Sequence, residues 1–165
     1  PDPTPPIPPQ RDDLSMTASN RRVVLSSDHS AIALRQAIAG HIAAQGWEVV
    51  DIGPTMPQST PYPEHGAAAA RRVASGDCRF GIILCGTGQG IMMAANKIRG
   101  VRCGVCSETF SARMIRQHND ANMLSIGARV VGEGLALDIV DAFLAAPFDG
   151  GRHGPRVEMI AALEG

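Results

Sequence analysis

Aromatic side chains are scarce in this chain. One Trp, one Tyr and four Phe make up 4% of it, too few for the stacking platforms that hold single-stranded nucleic acid. Excess charge of either sign is lacking too. Fifteen Lys and Arg stand against sixteen Asp and Glu, a formal net charge of -1, which argues against nucleic acid or an anionic membrane surface as partner. No apolar run is long enough to span a bilayer, and no basic segment followed by an apolar core marks a secretory signal. Four cysteines in 165 residues are not a disulfide framework, so a reducing cytoplasm is the expected location. Cys103 and Cys106 stand three apart in a strand-like run. Their side chains then face opposite sides, and neither metal nor redox chemistry is expected of them. The Walker lysine with its Ser/Thr is missing, and so is the dinucleotide pattern: Gly90 follows Gly88 one place early and Ile91 occupies the third glycine position. The same Ile91 excludes a phosphatase loop, which needs Arg six residues after Cys.

What is present is a regular alternation. Residues 1–20 are proline-rich and read as an extended tail. Residues 21–165 read as a single domain with enough chain for a real core. Strands are expected near residues 22–26, 47–51, 81–84, 101–105 and 123–126, each followed by a helical pattern. Such βα repetition predicts an α/β fold of three layers, a five-stranded parallel sheet with helices on both faces and right-handed crossovers. The strand order expected is 2-1-3-4-5.

The stretch around which the chain is organised runs from Arg79 to Asn96. A buried apolar strand, Gly81 to Leu84, ends at Cys85. Gly86, Gly88 and Gly90 follow at alternate positions, and then helix formers. Glycines permit φ > 0 and close approach of a ligand, and the helix start aims unpaired N–H groups at the turn. A sulfur in that field is favoured as a thiolate. A purely structural turn is the plain alternative.

Asp28 and His29 follow the first strand, where open α/β sheets bind ligands. Taken alone, Asp28 serves as well for a helix N-cap, and His29 for a surface loop residue. His118 and Asn119 end the fourth helix, where a histidine can simply satisfy carbonyls. Arg129 follows the fifth strand, and Arg152 and Arg156 flank a helix start as a second anion site. Asp28, His29, Cys85, Thr87, His118, Asn119 and Arg129 are expected at the strand ends, with Arg152 and Arg156 nearby in the C-terminal segment. A thiol, a hydroxyl, a carboxylate, imidazoles and arginines suit an aldose–ketose isomerisation of a phosphorylated sugar. A base moves a proton from carbon 2 to carbon 1, backbone N–H groups from Gly86 to Gly90 hold the enediolate, and arginines clamp the phosphate.

Ser27-Asp28-His29, Cys85-Gly-Thr-Gly-Gln-Gly90 through Asn96-Lys97, Arg116-Gln-His118-Asn119, Arg129-Val-Val-Gly132 and Gly-Gly-Arg152-His153 together resemble the ribose-5-phosphate isomerase B family, which includes relatives acting on galactose and allose phosphates. The likeness covers residues 21 to 165. It implies a Rossmann-like domain, a homodimer or dimer of dimers, and no metal or organic cofactor. It also implies roles. Cys85 would be the base, and Thr87 would shuffle hydrogen between the oxygens. Asp28 with His118 would open the furanose ring. His29, Arg129, Arg152 and Arg156 would bind phosphate, Tyr62 and Asn119 would contact the sugar, and Gly86, Gly88 and Gly90 would form the anion hole. The substrate implied is a phosphorylated sugar, most simply ribose 5-phosphate, with six-carbon phosphates as the alternative. Ser26-Ser27, Pro61 and Gly154-Pro155 depart from the family's commoner residues.

Two other classes fit parts of the pattern. A Cys-dependent hydrolase would use Cys85 as nucleophile but leave the arginines without a task. A non-catalytic phosphosugar-binding module would leave Cys85, Thr87 and His118 without one. One further expectation concerns assembly. In the order 2-1-3-4-5 the fifth strand lies two places from the third, roughly 10 Å away. His118, Asn119 and Arg129 are therefore expected to serve the Cys85 of a second subunit, giving shared active sites.

Overall fold

The computed structural model describes residues 21–165, so the proline-rich tail of residues 1–20 lies outside the described residues. Five strands alternate with helices: β1 Arg22–Ser27, α1 Ile32–Ala44, β2 Glu48–Asp51, α2 Tyr62–Ala74, β3 Phe80–Cys85, α3 Gln89–Ala95, β4 Cys103–Val105, α4 Thr109–Asn119, β5 Met123–Gly127, α5 Glu133–Ala145 and α6 Gly154–Ala162. Short 3₁₀ turns precede α1 (His29–Ala31) and α6 (Gly151–His153).

The sheet is wholly parallel, in the order β2-β1-β3-β5-β4. The three-layer α/β architecture is as expected, but the last two strands are exchanged. The reason lies in their composition. All five residues of β5 are buried, as are all six of β3, so each needs a neighbour on both sides. β4 has only three residues, and Gly104 and Val105 are half-buried. A short strand of that kind belongs at an edge.

Alternation along β1 and β3 divides the core. Val23, Leu25, Ile82 and Leu84 face Ile38, Ile42, Ile139 and Phe143, on the side of α1, α4 and α5. Val24, Ile83 and Cys85 face Ala69, Val73, Ile91 and Ala95, on the side of α2 and α3. Cys106 belongs to the first cluster and Cys103 to the second, so the two thiols do face opposite sides. Burial pushes both up, Cys106 to about 11, which leaves them as protonated packing groups.

Candidate active site

β3 ends at Cys85, and its chain turns through Gly86-Thr87-Gly88 into α3. Gly88 has φ +77°, and a Cβ there would stand 2.8 Å from Val105 Cγ2 and 3.0 Å from the backbone of Gly127. Only glycine meets both demands. The neighbouring strand end clamps the turn. Ala128 N–H donates to the Cys85 carbonyl at 2.9 Å, and Arg129 N–H to that of Gly86 at 3.0 Å. The buried Ser125 hydroxyl donates to the Gly88 carbonyl at 2.7 Å. A Cβ on Gly127 would lie 2.7 Å from the Thr87 carbonyl, so this glycine admits the Thr87 backbone. The turn in exchange presents a donor to the sulfur: Gly88 N–H points at Cys85 Sγ, 3.2 Å away. Cys85 is 5% exposed. Thr87 stands exposed above it, its hydroxyl accepting from Gln89 N–H at 3.4 Å.

Four other expected residues gather here. Ser27 pairs with Leu84 in the β1–β3 register, and Asp28 N–H donates to the Leu84 carbonyl at 3.1 Å. Asp28 thus sits opposite Cys85, and strand alternation sends both side chains to the α2–α3 face. It is also the N-cap of its 3₁₀ turn: Oδ1 accepts from Ser30 N–H at 2.9 Å and from the Ser30 hydroxyl at 2.5 Å. His29 Nδ1 accepts from Thr60 N–H at 3.3 Å. The Tyr62 ring rests on Gly90, where a Cβ would approach its Cζ to 2.6 Å. Gly90 is therefore a glycine because an aromatic ring lies on it. The Arg129 side chain crosses Gly86, with Cδ and Nη1 each 3.5 Å from where a Cβ would be. The expectation that Arg129 is too far from its own Cys85 is thereby overturned, because β5, not β4, adjoins β3.

The remaining four residues lie elsewhere. A helix after a parallel strand runs back to the amino edge of the sheet, so His118 and Asn119, at the end of α4, precede β5 and lie at that edge. Register puts Gly81 beside Met123 and Cys85 beside Gly127. His118 and Asn119 are thus at least four strand residues below Cys85, about 13 Å at roughly 3.3 Å per residue. The expectation that they stand at the carboxyl strand ends is corrected accordingly. Arg152 and Arg156 go with them. The His118 and His153 rings stack at 4.3 Å between centroids, 10° from parallel, and Asp149 N–H donates to the Gln117 carbonyl at 3.0 Å. Burial, and then the positive neighbours His118, Arg152 and Arg156, hold His153 below the usual histidine range. A groove of about 690 Å³ opens beside this cluster, between β4, α4 and α6, with Asn119, Arg102, Ile160 and Leu163 on its walls. It is on the amino edge and does not reach the thiol.

Sequence reasoning missed Ser125, Gly127 and Arg35. A serine inside an otherwise apolar strand and an arginine on the apolar side of α1 were the available signals.

The carboxyl edge carries a thiol held by a backbone amide, a carboxylate, an imidazole and an arginine around a glycine turn. Groups of these kinds can hold an anion and move a proton beside it. Comparison with known proteins is more specific. The chain belongs to the Ribose/Galactose Isomerase family, whose model matches residues 23–160. It is 46% identical over 144 residues to ribose-5-phosphate isomerase B of Escherichia coli (strain K12), covering 87% of this chain and 97% of that one. A solved ribose-5-phosphate isomerase B of Clostridium thermocellum superposes with a TM-score of 0.86 at 48% identity, over 87% of this chain and 97% of the other. That of Mycoplasma genitalium, solved with bound ribulose-5-phosphate, does so with a TM-score of 0.84 at 36% identity, over 87% and 95%.

Proposed function

We propose that the protein interconverts ribose 5-phosphate and ribulose 5-phosphate, at a site made by two copies of the chain. The observation that carries the reading is Cys85 Sγ under the Gly88 N–H with Asp28 on the adjoining strand end. The Cys85 thiolate takes the proton from C2 of the open-chain aldose. The electron pair left behind becomes the cis-enediolate, whose charge spreads over O1 and O2, where backbone N–H groups of the Gly86 to Gly90 turn stabilise it. The thiol returns the proton to C1, and Thr87 passes hydrogen between the two oxygens. Asp28 and His118 open the furanose ring. His29 and Arg129 from one chain, with Arg152 and Arg156 from the other, take the phosphate. Tyr62 and Asn119 contact the sugar.

Two features support a second copy. The residues of the amino edge cannot reach the thiol of their own chain. Apolar side chains also stand in solvent at both edges, Phe110 and Val130 at one and Met159 and Leu163 at the other, as expected of surface that another copy covers. A dimer, or a dimer of dimers, is the assembly proposed.

A coupled assay over a panel of aldose phosphates tests the reading. Ribose 5-phosphate should give the highest kcat/KM, above allose and galactose 6-phosphates. A six-carbon phosphate in first place would replace the substrate, and binding without turnover of any of them would remove the isomerase reading.

A further inference from the structure

Arg35 is charged yet 1% exposed. It lies on the apolar side of α1, between Ile32 and Ile38, and its guanidinium donates to three segments. Nε pairs with Asp51 at the end of β2, 2.9 Å away. Nη2 donates to the Pro54 carbonyl at 2.8 Å. Nη1 donates to the Ser27 hydroxyl, at the end of β1, at 2.5 Å. Gly53 lies directly on the guanidinium, where any Cβ would collide with it, and Gly53 N–H donates to Asp51 Oδ1 at 3.0 Å.

Two arms of this network converge on His29. Along the first, the Ser27 hydroxyl accepts from Arg35 and itself donates to the Asp28 carbonyl at 2.8 Å. That bond fixes the peptide joining Asp28 to His29. Along the second, the Pro54 bond anchors the start of the segment 52–61, near whose end Thr60 N–H donates to His29 Nδ1 at 3.3 Å. A neutral imidazole whose Nδ1 accepts must carry its proton on Nε2. His29 is thereby presented as a single N–H donor of set direction.

We propose that Arg35 is a positioning residue, which through Ser27 and the segment 52–61 holds His29 as an Nε2–H donor for the substrate's phosphate. The inference rests on the reading of His29 as a phosphate ligand. Arg35 itself touches no substrate. A planar fork is needed because the acceptors lie in three directions around one plane, which a lysine ammonium does not match.

The test uses Ser27→Ala and Arg35→Lys, each alone and combined with His29→Ala. Three quantities are read: KM and kcat for ribose 5-phosphate, the Kd of inorganic phosphate, and the ring ¹⁵N shifts of His29. Ser27→Ala should raise KM and the phosphate Kd about 3- to 10-fold, the loss of one hydrogen bond, with kcat within about twofold. Arg35→Lys should do more. On His29→Ala neither should add anything, because residues acting through one group are non-additive. The ring shifts should move from an Nε2–H pattern towards a tautomer mixture. Should Arg35→Lys not fold, Ser27→Ala still decides, since it leaves the Arg35–Asp51 pair intact. Additive losses on His29→Ala, or an unchanged phosphate Kd in folded Ser27→Ala, would overturn the proposal. Phosphate binding and ring shifts need no turnover. A chain that shows both responses and converts no aldose phosphate supports this inference and removes the isomerase reading alone.

Discussion

Mixing inactive subunits tests the division of the site most sharply. Cys85→Ala and His118→Ala should each be nearly inactive alone. In the structure the two residues belong to opposite edges of one sheet, with the β3–β5 register separating them by four residues or more. At roughly 3.3 Å per residue that is about 13 Å, several times the reach of a hydrogen bond. On the proposed assembly His118 serves the Cys85 of the other copy. A mixed dimer then has one site carrying both lesions and one carrying neither. Random exchange makes about half the dimers mixed, so turnover should recover to about a quarter of wild type under two-fold symmetry. Cys85→Ala with Arg129→Ala gives the contrasting result. Arg129 crosses Gly86 of its own chain, so both sites of the mixed dimer are damaged and no recovery follows. Exchange is confirmed by mass spectrometry and turnover by the coupled assay. No recovery in the His118 pair, or recovery in the Arg129 pair, refutes the assignment of edges.

Cys85→Ala alone should lower turnover by roughly 10²–10⁴ with inorganic phosphate binding retained, and near-normal turnover would exclude it as the base. Gly127→Ala drives a methyl onto the Thr87 carbonyl; kcat should fall well before thermal stability does, and equal losses in both would mean that the glycine serves folding alone. Phe143 is fully buried and meets Phe80 edge-on, 5.5 Å between centroids, so Phe143→Ala should cost about 3–5 kcal/mol in chemical denaturation. His153 is held below the usual histidine range by burial first and positive neighbours second. The folded state therefore binds its proton less readily than the unfolded state, and the stability it contributes is lost as pH falls below about 6.5; melting curves of His153→Phe should be flatter in that window.

Much of this molecule was legible in its residues, and the parts that were not share a cause. The strands could be placed because Val23 to Leu25, Ile82 to Leu84 and Met123 to Ile126 are short apolar runs ended by small or turn-forming residues. The glycine turn could be placed because three glycines behind a strand and a thiol have few other uses. Order across the sheet is a different kind of information. It depends on which strand can tolerate an open side, and that follows from the burial of whole faces. β4 tolerates it because three residues, one of them Gly104, lose little there, whereas β5 has no residue to spare for solvent. Exchanging these two strands reverses the fate of Arg129 and leaves that of His118 unchanged. Arg129 follows its strand and so joins the turn of its own chain. His118 precedes the same strand and so sits at the other edge, wherever the strand lies in the sheet. Its separation from Cys85 therefore depends on chain direction alone, which the βα alternation already carries. Arg35 and Ser125 were hidden for another reason. Each is one polar residue at an apolar position, and its acceptor lies far along the chain, Asp51 in one case and Gly88 in the other. Such a residue reads as noise in the pattern until the fold brings its partner beside it. The glycine turn and the Asp28-His29 corner are each held by one of these unread residues.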